Sequence, residues 1–168
     1  MAIQFYENLS PEVKAVFKLD TPNTSYVIGV VDTEQFLGHI YYGQRLNDYH
    51  LAYVLRVKEG AMVPSVNNRD RVAFLDSFPM EYPAGGLGDY RESCIGIETA
   101  AGNMGLSLNY VSHKITEGKE GLSKLPASFG EKNECTSLEI LCEDSLTGLK
   151  AVLSYTVFAD VDVITRSV

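Results

Sequence analysis

TSLEILC (136–142), EDSLTG (143–148) and LKAVLSYTVFA (149–159) form the stretch whose reading decides the fold. Leu149, Ala151, Leu153, Tyr155 and Val157 fall on one side of an extended chain, while Lys150, Ser154 and Thr156 fall on the other. That period of two is the pattern of a half-buried strand, and the polar run between the two apolar segments closes a hairpin. C-terminal to it, Val163-Ile164-Thr165 reads as one more strand with no closing turn or polar tail, which points to a fragment of a longer protein. N-terminal to it, Ser93 to Thr99 and Leu106 to Ile115 are expected as a second hairpin around 100–105. Leu106, Leu108 and Tyr110 alternate there with Ser107, Asn109 and Val111. Glu117 to Gly121 reads as a turn and Leu125-Pro126-Ala127 as an extended connector.

The first half continues the pattern. Thr24 to Val31 and Phe36 to Tyr42 are β-branched and aromatic on either side of Asp32-Thr33-Glu34-Gln35, a third hairpin, preceded by a turn at Asp20, Pro22 and Asn23. Residues 1–16 predict at most a turn or two of helix, with Ser10 capping and Pro11 in the first position. Residues 43–80 are compatible with a long functional loop, and periodicity does not decide between strand and short helix for His50 to Val57. Roughly eight or more strands at this spacing, with little helical periodicity, indicate an all-β antiparallel sandwich.

Composition narrows the function. The chain has 168 residues, 45% hydrophobic and 21% charged, which predicts one domain. Its 14 Lys and Arg against 22 Asp and Glu leave a net charge of −8, and no basic run exists to hold a phosphate backbone, so nucleic acid is excluded as a partner. Charges within the first dozen residues and the lack of a long apolar run predict a chain without export signal or membrane span, in the cytoplasm. Cys94, Cys135 and Cys142 are odd in number, which suits a reducing compartment. Cys135 and Cys142 would face opposite sides of one strand, which argues against a shared metal site.

Glu81 to Arg91, EYPAGGLGDYR, concentrates glycine, proline and tyrosine in a loop able to take tight, irregular paths. It reads either as a binding loop or as a crossover between sheets in which Asp89 and Arg91 form a local ion pair. Glu81, Asp89, Asp48 and Glu59 are loop carboxylates expected on the solvated surface. His39, His50 and His113 lack the spacing of a metal centre, and His39 is expected as a hydrogen-bonded strand residue. No GxSxG, GxxxxGK or GxGxxG motif occurs, and no cofactor is implied. Ten tyrosines stand against no tryptophan. Of these, Tyr42, Tyr49, Tyr53, Tyr82 and Tyr90 fall on or beside loops, where they would either stack on sugars or cap the sandwich edges.

Phe17-Lys18-Leu19, Asn23 to Tyr26, Leu37 to Gly43, Glu81-Tyr82-Pro83, Gly88 to Arg91, Gly118-Lys119, Leu125 to Ala127 and Val163 to Ser167, in this order, resemble the N-terminal domain of bacterial α-galactosidases of glycoside hydrolase family 36. The resemblance implies a large intracellular enzyme with an N-terminal β-supersandwich, a central (β/α)8 catalytic barrel and a C-terminal β domain. Such enzymes release terminal α-linked galactose from melibiose or raffinose with retention, using two aspartates and no metal. The nucleophile in the family follows a Lys-Trp pair on a barrel strand. This chain has no Trp, so residues 1–168 are expected to end before the barrel and to hold no catalytic residue. The resemblance further implies a homotetramer in which a loop, by position within 45–70, reaches a neighbouring active site, with Arg56 and Glu59 as candidate substrate contacts. Asp89 and Arg91 are candidate structural or interdomain residues. Two other readings remain open: a stand-alone carbohydrate-binding sandwich using its loop tyrosines, and a structural domain that self-associates through an open sheet edge.

Overall fold

The computed structural model describes residues 2–10, 13–31, 34–47, 51–54, 75, 78–86 and 89–168, the side chain of residue 52 excepted. The described residues form eight strands: β1 (Ile3–Glu7), β2 (Val13–Asp20), β3 (Thr24–Val31), β4 (Phe36–Gln44), β5 (Asn109–Glu117), β6 (Cys135–Glu143), β7 (Lys150–Phe158) and β8 (Ile164–Ser167). They form two four-stranded antiparallel meanders, β1-β2-β3-β4 and β5-β6-β7-β8. A 3-10 turn at Leu51–Val54 is the helical element among the described residues.

The two sheets pack face to face. Phe17, Leu19, Ile28 and Val30 from the first meet Leu138, Ile140, Leu153 and Tyr155 from the second in one buried cluster. The alternation read along residues 149–157 is therefore real, with Ala151, Leu153, Tyr155 and Val157 all inside. A second cluster lies on the other face of the first sheet, where Val16, Val27, Phe36 and Ile40 are covered by Leu51, Leu75 and Phe78. The first sheet is thus buried on both sides, and β2 accordingly has an almost continuous buried run rather than an alternating one.

Two expectations need correction. Among the described residues, 2–10 hold β1 and 13–16 begin β2, where a turn or two of helix was expected. Ile3 pairs Leu19 and Phe5 pairs Phe17, and the Ser10 hydroxyl accepts from Val13 N at 3.0 Å in the hairpin connection instead of capping a helix. The hairpin expected between 93–99 and 106–115 does not form a ladder. Thr99 N donates to Asn103 O at 2.9 Å in a tight turn, but Ile95 and Ile97 pack on the core without strand pairing. β5 begins only at Asn109 and pairs with β6. Cys135 and Cys142 are buried on opposite faces of β6, Cys142 in the inter-sheet cluster and Cys135 beside Gly130. Burial pushes the Cys142 thiol up to about 12.

The chain moves from the outer cluster to the inner one around the edge of β4. Phe78 lies over Gly38 on the outer face, His39 N donates to Pro79 O at 2.7 Å, and Glu81 N donates to Leu37 O at 2.9 Å. Ala84 then joins the inner cluster. A Cβ at Gly38 would lie 2.9 Å from Phe78 Cε1 and nearer still to Cζ, with Phe78 only 2% exposed. Gly38→Ala is expected to destabilise the fold by about 2 kcal/mol through this overpacking, read as a lowered denaturant midpoint at unchanged slope.

Candidate functional site

The crossover carries Glu81 into the space between the sheets, where it is 4% exposed. Tyr26 on β3 donates its hydroxyl to Oε1 and Oε2 at 2.7 and 2.9 Å. Tyr155 on β7 donates to Oε1 at 2.7 Å. Arg166 on β8 places Nη1 3.4 Å from Oε1, and its Nη2 donates to the Glu81 carbonyl at 2.6 Å. His39 on β4 has Nδ1 3.6 Å from Oε2, within ion-pair reach and beyond hydrogen-bond length. One carboxylate therefore joins side chains from both sheets. Burial alone would raise its pKa, but His39, the Tyr155 and Tyr26 hydroxyls and the Arg166 charge together hold it below the usual carboxylate range. Desolvation and the neighbouring carboxylate push both tyrosine hydroxyls upward, so they stay protonated as donors.

This carboxylate is poorly placed for chemistry. A general acid needs a raised pKa, while a base or nucleophile needs an accessible lone pair. Glu81 has neither, being ionised, buried and fully engaged. What it supplies is cohesion, with a defined pH dependence. Because its folded pKa lies below its unfolded value near 4.5, the unfolded chain takes up the proton first on acidification. Its contribution is present above that value and is lost as pH falls through the folded pKa. Urea titrations across this acid window should show stability rising with pH, and Glu81→Gln should flatten that rise.

The second cluster fixes the end of the same loop. Asp89 Oδ1 accepts from Arg91 N at 3.2 Å and from Nε at 2.8 Å. Arg91 Nη1 donates to Phe78 O at 2.5 Å and Nη2 to Leu75 O at 2.8 Å. Arg91 thus ties the loop to the segment covering the outer cluster. Among the described residues, Asp89 Oδ2 is buried without a hydrogen-bond partner. A cavity of about 20 Å³ that includes Asp89, Phe36, Met80 and Leu106 in its lining has room for one water. Gly86 has φ 91°, and a Cβ there would lie 3.1 Å from Gly105 Cα, so the turn requires glycine.

Glu81 and Asp89 were expected on the solvated surface and are instead buried, because the loop folds inward around β4. Arg56 and Glu59 lie outside the described residues, as do Asp48, Tyr49, His50 and most of 45–70. Tyr42, Tyr53 and Tyr90 are exposed, while Tyr82 is half-buried and its hydroxyl points to Cys94 O at 3.4 Å. His113 Nδ1 is 2.9 Å from the Tyr110 hydroxyl, and its ring packs 4.0 Å from that of Phe5, where burial lowers its pKa. Among the described residues no group of three His, Cys, Asp or Glu is placed to hold a metal. Tyr26, Tyr155 and Arg166 were not singled out for this site. The available signal was a tyrosine on the apolar face of β7, whose buried hydroxyl demands an acceptor.

The family model described as Glycosyl hydrolase family 36 N-terminal domain matches residues 35–168. The chain is 38% identical over 158 residues to the bifunctional alpha-galactosidase/sucrose kinase AgaSK of Mediterraneibacter gnavus, covering 92% of this chain and 17% of that protein. It is 34% identical over 159 residues to alpha-galactosidase AgaA of Geobacillus stearothermophilus, covering 94% and 22%. The galactosidase domain of AgaSK superposes with a TM-score of 0.82 at 33% identity, covering 97% of this chain and 22% of that one. AgaA in complex with raffinose superposes with a TM-score of 0.81 at 34% identity, covering 90% and 21%. The chain spans about a fifth of the length of these relatives.

Proposed function

The chain belongs to the glycosyl hydrolase family 36 N-terminal domain, and from that membership we propose that it is the non-catalytic N-terminal sandwich of a retaining α-galactosidase acting on melibiose- or raffinose-type galactosides. The observation that carries the reading is the match of residues 35–168 to the family's N-terminal domain, together with relatives named alpha-galactosidases of which the chain covers about a fifth. The chain's own carboxylates support a division of labour. Glu81 is committed to the inter-sheet clasp and Asp89 to Arg91, so neither is free to act as acid or nucleophile, roles that this proposal gives to a catalytic barrel outside residues 1–168.

The domain's proposed work is assembly of a cytoplasmic homotetramer and shaping of the substrate entrance. Arg56 and Glu59 are the proposed entrance contacts. Asp89 and Arg91 fix the crossover loop and its face toward the barrel.

The coding sequence beyond Val168 should continue into a (β/α)8 barrel, and the longer protein should hydrolyse an aryl α-galactoside, releasing α-galactose first in a proton NMR time course. A stop codon at that point, or β-galactose as the first product, would overturn the proposal.

A further inference from the structure

The outer face of the second sheet carries a groove that the proposed function leaves unused. Cross-strand registry sets two rows across its floor: Thr116, Ser137, Thr156 and Thr165 in one, and Lys114, Glu139, Ser154 and Ser167 in the next. The hydroxyl side chains are short, so the floor is sunken. The segments 117–122 and 129–134 wall it, enclosing about 730 Å³, within the size range of small-molecule sites. The walls are joined by Lys119 N to Gly130 O at 2.9 Å and fixed to the floor by the Ser137 hydroxyl donating to Gly118 O at 2.7 Å. Gly118, at φ 82°, brings the walls together, since a Cβ there would lie 3.3 Å from Gly130 O.

We propose that this groove binds a neutral oligosaccharide, with Phe129 as the stacking ring and the hydroxyls of Thr116, Ser154, Thr165 and Ser167 as the hydrogen-bonding floor, the Ser137 and Thr156 hydroxyls being bonded to each other beneath it. Phe129 at the rim is 75% exposed, and one edge rests near Gly121, where a Cβ would be 3.4 Å from Cδ1. An aromatic ring supported on one side and open on the other suits the apolar C–H face of a sugar. Three lysines and five glutamates line the groove. That mixed, net-negative lining disfavours phosphates and other anions, while its hydroxyl, ammonium and carboxylate groups together offer both donors and acceptors to a polyol. The assignment rests on the groove's own chemistry, and the proposed activity enters only through the choice of probe.

The test is an NMR titration of the isotopically labelled 168-residue chain with raffinose. Binding on the order of 1 mM is expected, with amide shifts concentrated at Thr116, Phe129, Ser137 and Thr156. Phe129→Ala should weaken it about tenfold, and Ser154→Lys, which fills the floor from an outward-facing position, should abolish it. No shifts, shifts centred instead on Tyr42, Tyr53 and Tyr90, or binding unchanged in both variants would overturn the proposal. Failure here leaves the parent's α-galactosidase activity intact, and an inactive parent leaves binding in the groove intact.

Discussion

Glu81→Ala is expected to destabilise the protein by about 4 kcal/mol, because removing one member of a buried, hydrogen-bonded charge cluster strands the others. Three groups lose their partner together. The Tyr155 and Tyr26 hydroxyls lie 2.7 Å from Oε1, and each would be left without this acceptor in a largely dry interface. The Arg166 guanidinium loses its anion and keeps only the Glu81 carbonyl and the Tyr155 ring, 5.8 Å from its Cζ. Since Tyr26 and Tyr155 come from different sheets, the loss falls on their mutual orientation. Urea unfolding followed by tyrosine fluorescence measures it. Glu81→Gln, which still accepts hydrogen bonds but carries no charge, should cost roughly half as much. A loss below about 1 kcal/mol for the alanine variant would show that the clasp is dispensable.

Arg91→Ala is the second large effect, about 3 kcal/mol. Its guanidinium reaches Asp89, Phe78 O and Leu75 O at once. Truncation leaves the Asp89 carboxylate buried with the Arg91 backbone N–H as its one donor among the described residues, and it frees the segment that covers Val27 and Phe36. The Arg91 side chain is 35% exposed, so solvent screening keeps the effect below that of a fully buried pair. Arg91→Lys should recover only part of the loss, because an ammonium cannot serve three acceptors set around a planar fork. In the longer α-galactosidase proposed above, turnover of bound galactoside should be preserved at temperatures where the variant remains folded. Unchanged stability with lost turnover would reverse the assignment of Arg91 as a structural residue.

The legible parts of the sequence were those where pairing is local. The hairpins at 24–44 and 135–158 join neighbouring segments that alternate or are β-branched across turn residues. β1 and the first half of β2 were hidden because β2 is buried on both faces. Its lysine also misleads: Lys18 is 3% exposed, its Nζ 2.5 Å from Asp20 Oδ2. Ile95 and Ile97 show the converse, since alternation reports which side chains point inward and not whether the backbone finds a partner. Glu81 was unreadable locally. Its hydroxyl donors lie 55 and 74 residues away, and a carboxylate beside Pro83 and the loop glycines has the local signature of a solvated turn.

The proposal that most needs testing is that this chain is the non-catalytic N-terminal domain of an α-galactosidase. Hydrolysis of an aryl α-galactoside by the isolated 168-residue chain, with its fold verified by near-UV circular dichroism, tests that claim most directly. The account predicts no release of the aryl group above the buffer rate. Turnover by this chain that is abolished when one of its carboxylates is replaced by the corresponding amide would contradict it.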